Sequence, residues 1–255
     1  MRVDPRAKAS DSKRFHKLQP LSGLVVMSGG SASLWPLGKI ERNLTPQPRG
    51  RRCVLLSTGA LNPVHVGHVA MFDKAKHALE THFGFEVVGG FLSPSHDLYL
   101  DGKKPIGRTF PAEQRLNMCA AATRNHQHLA VGSWESSAVG RWPDFPEVKA
   151  ELEQVLRHEF GEDAPEVVYV CGADHFPYAK DVVSPVCAVG RSGVVVHTDE
   201  TRGIYAVEIE RDDPHYAMSS TRVREALVSR DYATLRSHLH PDVLALLCAY
   251  VGWQV

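Results

Sequence analysis

The sequence Gly59-Ala-Leu-Asn-Pro-Val-His-Val-Gly-His68 lies between an apolar run that begins at Cys53 and an amphipathic segment that continues to Leu79. This order predicts a strand, a glycine-containing turn and a helix. The turn would bring two imidazoles and several backbone N–H groups to the N-terminus of the helix, where the helix dipole favours phosphate oxygens. The decapeptide therefore predicts a phosphate-binding site.

A second helix start is predicted at Met218-Ser-Ser-Thr-Arg-Val-Arg224, with Ser219 or Ser220 as the N-cap residue. Arg222 and Arg224 would lie in the first turns of this helix, where their charge opposes the helix dipole. A bound anion would explain them better than helix stability does. Taken alone, the segment also fits an ordinary Ser-capped surface helix with solvated arginines.

Short apolar runs and helical patterns alternate along the chain after residue 52. The alternation predicts a Rossmann-like α/β fold, with a doubly wound parallel sheet, helices on both faces and a small C-terminal helical segment. Ligands of such sheets bind beyond the carboxyl ends of the strands, where the decapeptide would lie. The predicted strands are 53–57, 86–92, 129–134, 167–171, 182–189, 194–197 and 205–209, and the predicted helices are 66–82, 111–124, 145–160, 220–228 and 241–251.

The charge distribution divides the 255 residues into two parts. The first 52 residues carry 11 Lys and Arg against 3 Asp and Glu, and the rest carry 18 against 26. We therefore predict a basic, disordered N-terminal extension over residues 1–50, read as a solvated tail, and one domain over residues 51–255. A mitochondrial address or a nuclear-import or nucleic-acid patch is the alternative reading of the extension.

Cysteine usage and hydropathy predict the compartment. The five cysteines are widely separated and lack C-x-x-C spacing, as expected in a reducing environment. The sequence has neither a run long enough to span a membrane nor a secretion signal. We expect an intracellular protein, cytoplasmic or nuclear, with a mitochondrial location left open. Neither a membrane nor a nucleic acid is expected as a partner, and homo-oligomerisation is left open.

The two helix-start segments resemble the paired motifs of the nucleotidylyltransferase superfamily, usually written G-x-F-x-P-x-H-x-G-H and I-S-S-T-x-x-R. Leu61 stands where the first motif usually has Phe. Several blocks between and after these motifs resemble eukaryotic-type nicotinamide/nicotinic acid mononucleotide adenylyltransferases, and the resemblance spans roughly residues 52–252. The blocks are Ser93-Pro-Ser-His-Asp-Leu-Tyr99, Lys103-Lys104, Phe110-Pro-Ala-Glu-Gln-Arg115, Trp134-Glu-Ser136, Cys171-Gly-Ala-Asp174, Val189-Gly-Arg-Ser-Gly193 and the C-terminal residues 226–244.

This resemblance implies transfer of the adenylyl group of ATP to nicotinamide or nicotinic acid mononucleotide, which forms NAD or its deamido form and releases pyrophosphate. It implies Mg²⁺ carried on the nucleotide phosphates, without a metal site made by the protein. The implied catalytic residues are His68, His65 and Arg224. The other implied contacts are Gly59, Ala60, Gly67, Gly172, Asp174, Ser220 and Thr221 for ATP, and Lys104, Trp134 and Glu135 for the mononucleotide.

Residues in these blocks can also be explained by an ordinary structural role instead of a role in binding. Trp134 could be a core aromatic, Asp174 a helix N-cap, Lys104 a solvated loop charge and Arg115 a helix-face residue. The sequence also departs from the family: the usual second stacking Trp after the G-A-D block is missing, and only Phe176 and Tyr178 stand in that segment.

Two other functions stay open from the sequence. One is a different nucleotidylyltransferase, of the cytidylyl or phosphopantetheine adenylyl type. The other is a non-catalytic nucleotide-binding or chaperone-like module on the same fold.

Overall fold

A parallel sheet of six strands organises the part of the chain that this computed structural model describes, residues 34–103, 107–190 and 195–253. The strands are β1 Arg51–Gly59, β2 Phe85–Pro94, β3 Leu129–Val131, β4 Glu166–Gly172, β5 Val186–Val189 and β6 Ile204–Val207. They lie in the order β3-β2-β1-β4-β5-β6, and every pairing is parallel. This is the doubly wound order, in which β2 and β3 are added on one side of β1 and β4 then starts on the other side. The predicted fold class is confirmed.

Helices cover both faces of the sheet. In the described residues they are α1 Gly38–Asn43, α2 Val66–His82, α3 Asp97–Lys103, α4 Ala112–Thr123, α5 Phe145–Phe160, α6 Phe176–Ala179, α7 Ser220–Ser229, α8 Tyr232–His238 and α9 Pro241–Val251. Successive residues of β1 point to opposite faces, so Leu55 packs with one apolar cluster and Leu56 with the other. The first cluster includes residues of α2, α4, α7, α8 and α9, and the second includes residues of α1 and α5.

The segment before β1 corrects the predicted domain boundary. Trp35 is fully buried, and its ring meets Phe91 of β2 edge to face at 5.1 Å. The Nζ of Lys39 donates to the carbonyl oxygen of Thr123, the last residue of α4, at 2.8 Å and to that of His126 at 2.7 Å. Residues 34–50 are therefore part of the folded domain, and the prediction of disorder is wrong for them. Residues 1–33, the rest of the predicted extension, lie outside the described residues.

Several strands near the edges of the sheet differ from those predicted from the sequence. Residues 195–197 form no strand, and Val195 is 69% exposed. Residue 194 lies outside the described part. β5 begins only at Val186, because the N–H groups of Val182 and Val183 bond to Ala179 in the turn after α6. β3 ends at Val131, and a 3₁₀ turn over Glu135–Ser137 follows.

Candidate functional site

The loop after β1 is held by buried polar contacts. Leu61 adopts a φ of +43°, a left-handed conformation that is uncommon outside glycine. Asn62 is 1% exposed, its Oδ1 accepts the N–H of Phe110 at 2.9 Å, and its Nδ2 donates to the carbonyl of Arg108 at 3.3 Å. The loop before α4 thus holds the strained turn in place through its hydrogen bonds to Asn62.

The two histidines of the decapeptide form the start of α2. His65 is the N-cap residue, and its N–H donates to Nδ1 of His68 at 3.1 Å. The two rings lie 3.7 Å apart between centroids. Because Nδ1 of His68 accepts this bond, the ring proton of the neutral imidazole is on Nε2. His68 can therefore offer an Nε2–H donor to an anion.

Gly67 is a point of close approach. A Cβ built on it would lie 3.0 Å from Nδ1 of His65 and 3.2 Å from Cβ of Met218. A larger residue would press the N-terminus of α2 away from the segment that leads into α7. The glycine of the H-x-G-H pattern therefore allows the two predicted motifs to pack closely against each other.

The N-terminus of α7 is bonded directly to the loop after β1. Ser219 caps α7 by accepting the N–H of Arg222. Ser220 Oγ donates to the carbonyl of Pro63 at 2.8 Å, and Arg224 Nη1 donates to the carbonyl of Asn62 at 2.9 Å. These hydrogen bonds join residues 157 and 162 positions apart in sequence, so the two helix starts converge on one loop.

Arg224 is a largely buried cation at this junction. It is 8% exposed, and its Nη2 donates to Thr221 Oγ1 at 3.1 Å. Burial lowers its pKa from the ordinary value, but a guanidinium stays charged at neutral pH. A buried positive charge at a helix N-terminus opposes the helix dipole, so a bound anion would stabilise this arrangement.

Arg115 has a structural role. From the sequence it could belong to the site or be an ordinary residue on the face of a helix. It is fully buried and donates from Nη1 to Ala60 O at 2.9 Å and from Nη2 to Ser95 O at 2.6 Å. Its Nη2 also pairs with Asp97 at 2.7 Å, and its Nε donates to Phe110 O at 3.0 Å. Arg115 therefore ties the loop after β1 to the loop after β2, and it is not a solvated residue on the face of α4.

The other residues of the predicted ATP set lie at the carboxyl ends of the two central strands. Gly59 ends β1, and its carbonyl accepts the N–H of Ser95 at 2.8 Å. Gly172 ends β4. Asp174 is exposed in the turn that follows, and it is not a helix N-cap, because His175 has that position before α6.

The predicted mononucleotide residues follow β3. Trp134 is half-buried and packs against the cluster on the α1 and α5 face. Glu135 is 4% exposed, and its Oε2 accepts a bond from Ser93 Oγ at 2.8 Å. Burial raises the pKa of Glu135 to about 7, partly offset by hydrogen bonds from Ser93 and Ser95. Lys104 lies outside the described residues.

A cavity of about 200 Å³ opens beside the carboxyl ends of β5 and β6. Its wall combines apolar residues such as Val207 and Ile209 with the charged residues Glu208, Glu210 and Arg211. The sequence did not predict this cavity. Among the described residues, no group of three or more His, Cys, Asp and Glu side chains is arranged to hold a metal ion.

The fold and this junction define a Rossmann-like α/β protein whose switch point carries two linked helix N-termini. The chain belongs to the cytidylyltransferase-like family, whose sequence profile matches residues 56–226. Within the described residues, no helix combines the length and the apolar character needed to cross a bilayer.

Curated relatives match parts of the chain. The nicotinamide/nicotinic acid mononucleotide adenylyltransferase 2 of Danio rerio is 40% identical over 82 residues, which are 32% of this chain and 25% of that protein. The nicotinamide/nicotinic acid mononucleotide adenylyltransferase of Arabidopsis thaliana is 33% identical over 124 residues, 48% of this chain and 49% of that protein. The chain thus matches between a quarter and about half of the length of these relatives.

A solved structure shares the fold over most of the chain. The Plasmodium falciparum nicotinic acid mononucleotide adenylyltransferase, complexed with APC, has a TM-score of 0.56 and 12% identity, and the match covers 78% of this chain and 95% of that one. At this identity the likeness establishes the fold alone.

Proposed function

We propose that this protein transfers the adenylyl group of ATP to nicotinamide or nicotinic acid mononucleotide, with pyrophosphate as the second product. The observation that carries the proposal is the junction of α2 and α7, where Ser220 and Arg224 bond to the loop that leads to His65 and His68. Two helix N-termini on one loop make a site for several phosphates rather than one. The names of the curated relatives support the choice of this reaction.

The reaction needs no general base in this proposal. The attacking oxygen belongs to a phosphate monoester, whose second pKa is about 6, so it is largely ionised at neutral pH. Its in-line attack on the α-phosphorus of ATP forms the new P–O bond as the bond to pyrophosphate breaks. Catalysis then consists of positioning and charge stabilisation.

Each side chain would contact the part of ATP that lies nearest to it. His68, with Nε2–H as donor, would stabilise charge on the α-phosphate, and His65 would hold the His68 ring through the N-cap bond. Ser220, Thr221 and Arg224 would bind the leaving pyrophosphate. The backbone of Gly59 and Ala60 would approach the phosphates, and Gly172 and Asp174 would contact the ribose of ATP.

Mg²⁺ would arrive with ATP. The described residues have no cluster of metal ligands, and Mg²⁺ commonly keeps waters and binds substrate phosphates. Bound to the triphosphate, Mg²⁺ would neutralise part of its negative charge.

The mononucleotide would bind at the carboxyl end of β3. Trp134 would stack on the pyridine ring, with Glu135 beside it and Lys104 toward the phosphate. We expect Trp134→Ala to raise KM for the mononucleotide about fivefold and to leave KM for ATP nearly unchanged, since aromatic stacking is worth about 1 kcal/mol. A variant that fails to fold would instead favour the core role of Trp134, and thermal unfolding distinguishes the two results.

A cytidylyl transfer is the second candidate, and the description of the matching family favours it. The two candidates differ in the base of the nucleotide, so binding is compared for ATP and CTP. Purified protein with Mg²⁺ is then assayed for pyrophosphate release with ATP and each mononucleotide, and the dinucleotide product is identified by chromatography. Turnover with CTP and a phosphorylated alcohol, without turnover of ATP, would overturn the main proposal.

We further propose an intracellular location, cytoplasmic or nuclear. All five cysteines are free and buried, and burial raises the pKa of Cys119 and Cys171 to about 12, which suits thiols in a reducing compartment. Microscopy of the tagged full chain tests this location and the mitochondrial alternative.

A further inference from the structure

A second cavity lies beside α2, on another side of that helix from His68. It measures about 220 Å³, and its walls come from α2, α4, α9 and the segment before α7. Val66, Val69 and Asp73 line it at spacings of three and four residues, which places them on one stripe of α2. We propose that this flank cavity binds a one-ring aromatic carboxamide, separately from the nucleotide.

Helix geometry separates the flank cavity from the proposed phosphate site. His68 lies on the stripe that continues to Phe72, Ala75 and Leu79, three residues buried in the core. The stripe of the flank cavity is turned away from these residues by more than a quarter of the helix circumference, at about 100° per residue. His65 lines the cavity and also stacks on His68, so it is the shared wall between the two places.

The polar groups of the cavity define what it can bind. His240 Nδ1 accepts the N–H of Asp242 at 3.2 Å, so its neutral ring carries the proton on Nε2 and can donate. His215 Nδ1 donates to Asp213 Oδ1 at 3.1 Å, which leaves Nε2 of the neutral ring as an acceptor. Asp73 Oδ1 already accepts from His126 Nε2 at 2.9 Å, and the second carboxylate oxygen of Asp73 is the acceptor left for a ligand.

One donor and two acceptors are the hydrogen-bonding groups that complement the C=O and NH₂ of a carboxamide. Its oxygen would accept from His240 Nε2–H, and its NH₂ group would donate to Asp73 or to His215. The remaining lining is apolar, from valines and alanines such as Val243, and suits an aromatic ring. At 220 Å³ the cavity is smaller than the roughly 300 Å³ at which drug-sized pockets begin, which limits the ligand to about one ring.

A carboxylate in place of the amide would be rejected. Asp73 would face it with like charge, and the two acceptors would lose their donors. The cavity therefore discriminates between an aromatic amide and the corresponding acid.

The test uses benzamide as the probe and the full chain as the protein. Ligand-observed NMR is run without and with saturating α,β-methylene-ATP, and in both we expect benzamide to bind with a dissociation constant on the order of 1 mM and benzoate at least tenfold more weakly. Ala70→Leu fills the cavity and is expected to weaken benzamide binding at least tenfold. Ala233→Leu makes the same change on the exposed surface of α8 and should leave binding unchanged.

Asp73→Asn is the second variant, because it keeps the shape of the side chain. It should narrow the preference for benzamide over benzoate to less than threefold. Undetectable benzamide binding to the unmodified chain, equal binding to Ala70→Leu, or displacement of benzamide by the ATP analogue would each overturn the proposal. Binding is measured without turnover, so the result does not depend on the adenylyl-transfer proposal.

Discussion

The buried carboxyl of Glu135 makes the stability of the fold depend on pH. Its pKa rises from 4.5 to about 7, chiefly because burial penalises the charged form. Between these two values the folded protein keeps a proton that the unfolded chain releases, so stability falls as pH rises through this window. At about 1.4 kcal/mol per pKa unit, the free energy of unfolding should lose about 3 kcal/mol between pH 4.5 and pH 8 through this residue.

Urea unfolding of the unmodified chain and of Glu135→Gln at pH 5, 6, 7 and 8 measures this effect. The stability of the unmodified chain relative to the variant should fall by about 2–3 kcal/mol over that range. Glu147→Gln is the matched control. The hydrogen bond from Arg141 lowers the pKa of Glu147, so its titration lies below this range and its difference should stay constant. A stability difference for Glu135→Gln that stays constant with pH would contradict a raised pKa for Glu135.

Three further substitutions test the site and the fold. His68→Ala should lower turnover about 10²–10³-fold with an unchanged circular dichroism spectrum, whereas His77→Ala, on an exposed part of the same helix, should leave turnover unchanged. Arg115→Met should lower the free energy of unfolding by about 3–5 kcal/mol because it leaves buried carbonyls without donors; the exposed Arg124→Met should cost less than about 1 kcal/mol in the same denaturation experiment. Trp35→Ala should cost about 3–5 kcal/mol, and a loss below 1 kcal/mol would contradict the packing of residues 34–50 onto the sheet.

The regular elements near the site could be predicted because their signals are local. The bounds of α2 and α5 match the sequence prediction. For α5 the signal is local, because Asp144 caps the helix, Glu147 completes a capping box and the apolar period is clear. The β-α alternation predicted a parallel, doubly wound sheet, but the order of its strands, with β3 and β4 on opposite sides of β1, is seen only in the structure. The approach of α7 to the loop after β1 was expected only from the resemblance to known motifs.

Long-range burial could not be predicted in the same way. Trp35 and Ile40 are isolated apolar residues in a polar segment, and only the sheet opposite them shows that they are core. Arg115 reads as a surface charge in isolation, although it shares a stripe of α4 with the buried Met118 and Cys119, and this pattern could have revealed it. The buried Asn62 offered no comparable signal, because its partners come from the loop before α4.

A crystal structure of the full chain with α,β-methylene-ATP and Mg²⁺ would show whether both helix N-termini bind the same triphosphate. We expect one nucleotide whose α-phosphate lies within hydrogen-bond distance of His68 Nε2 and whose terminal phosphates contact Thr221 and Arg224. A nucleotide that touches only one of the two helix N-termini, or that leaves His68 without a phosphate contact, would contradict this expectation.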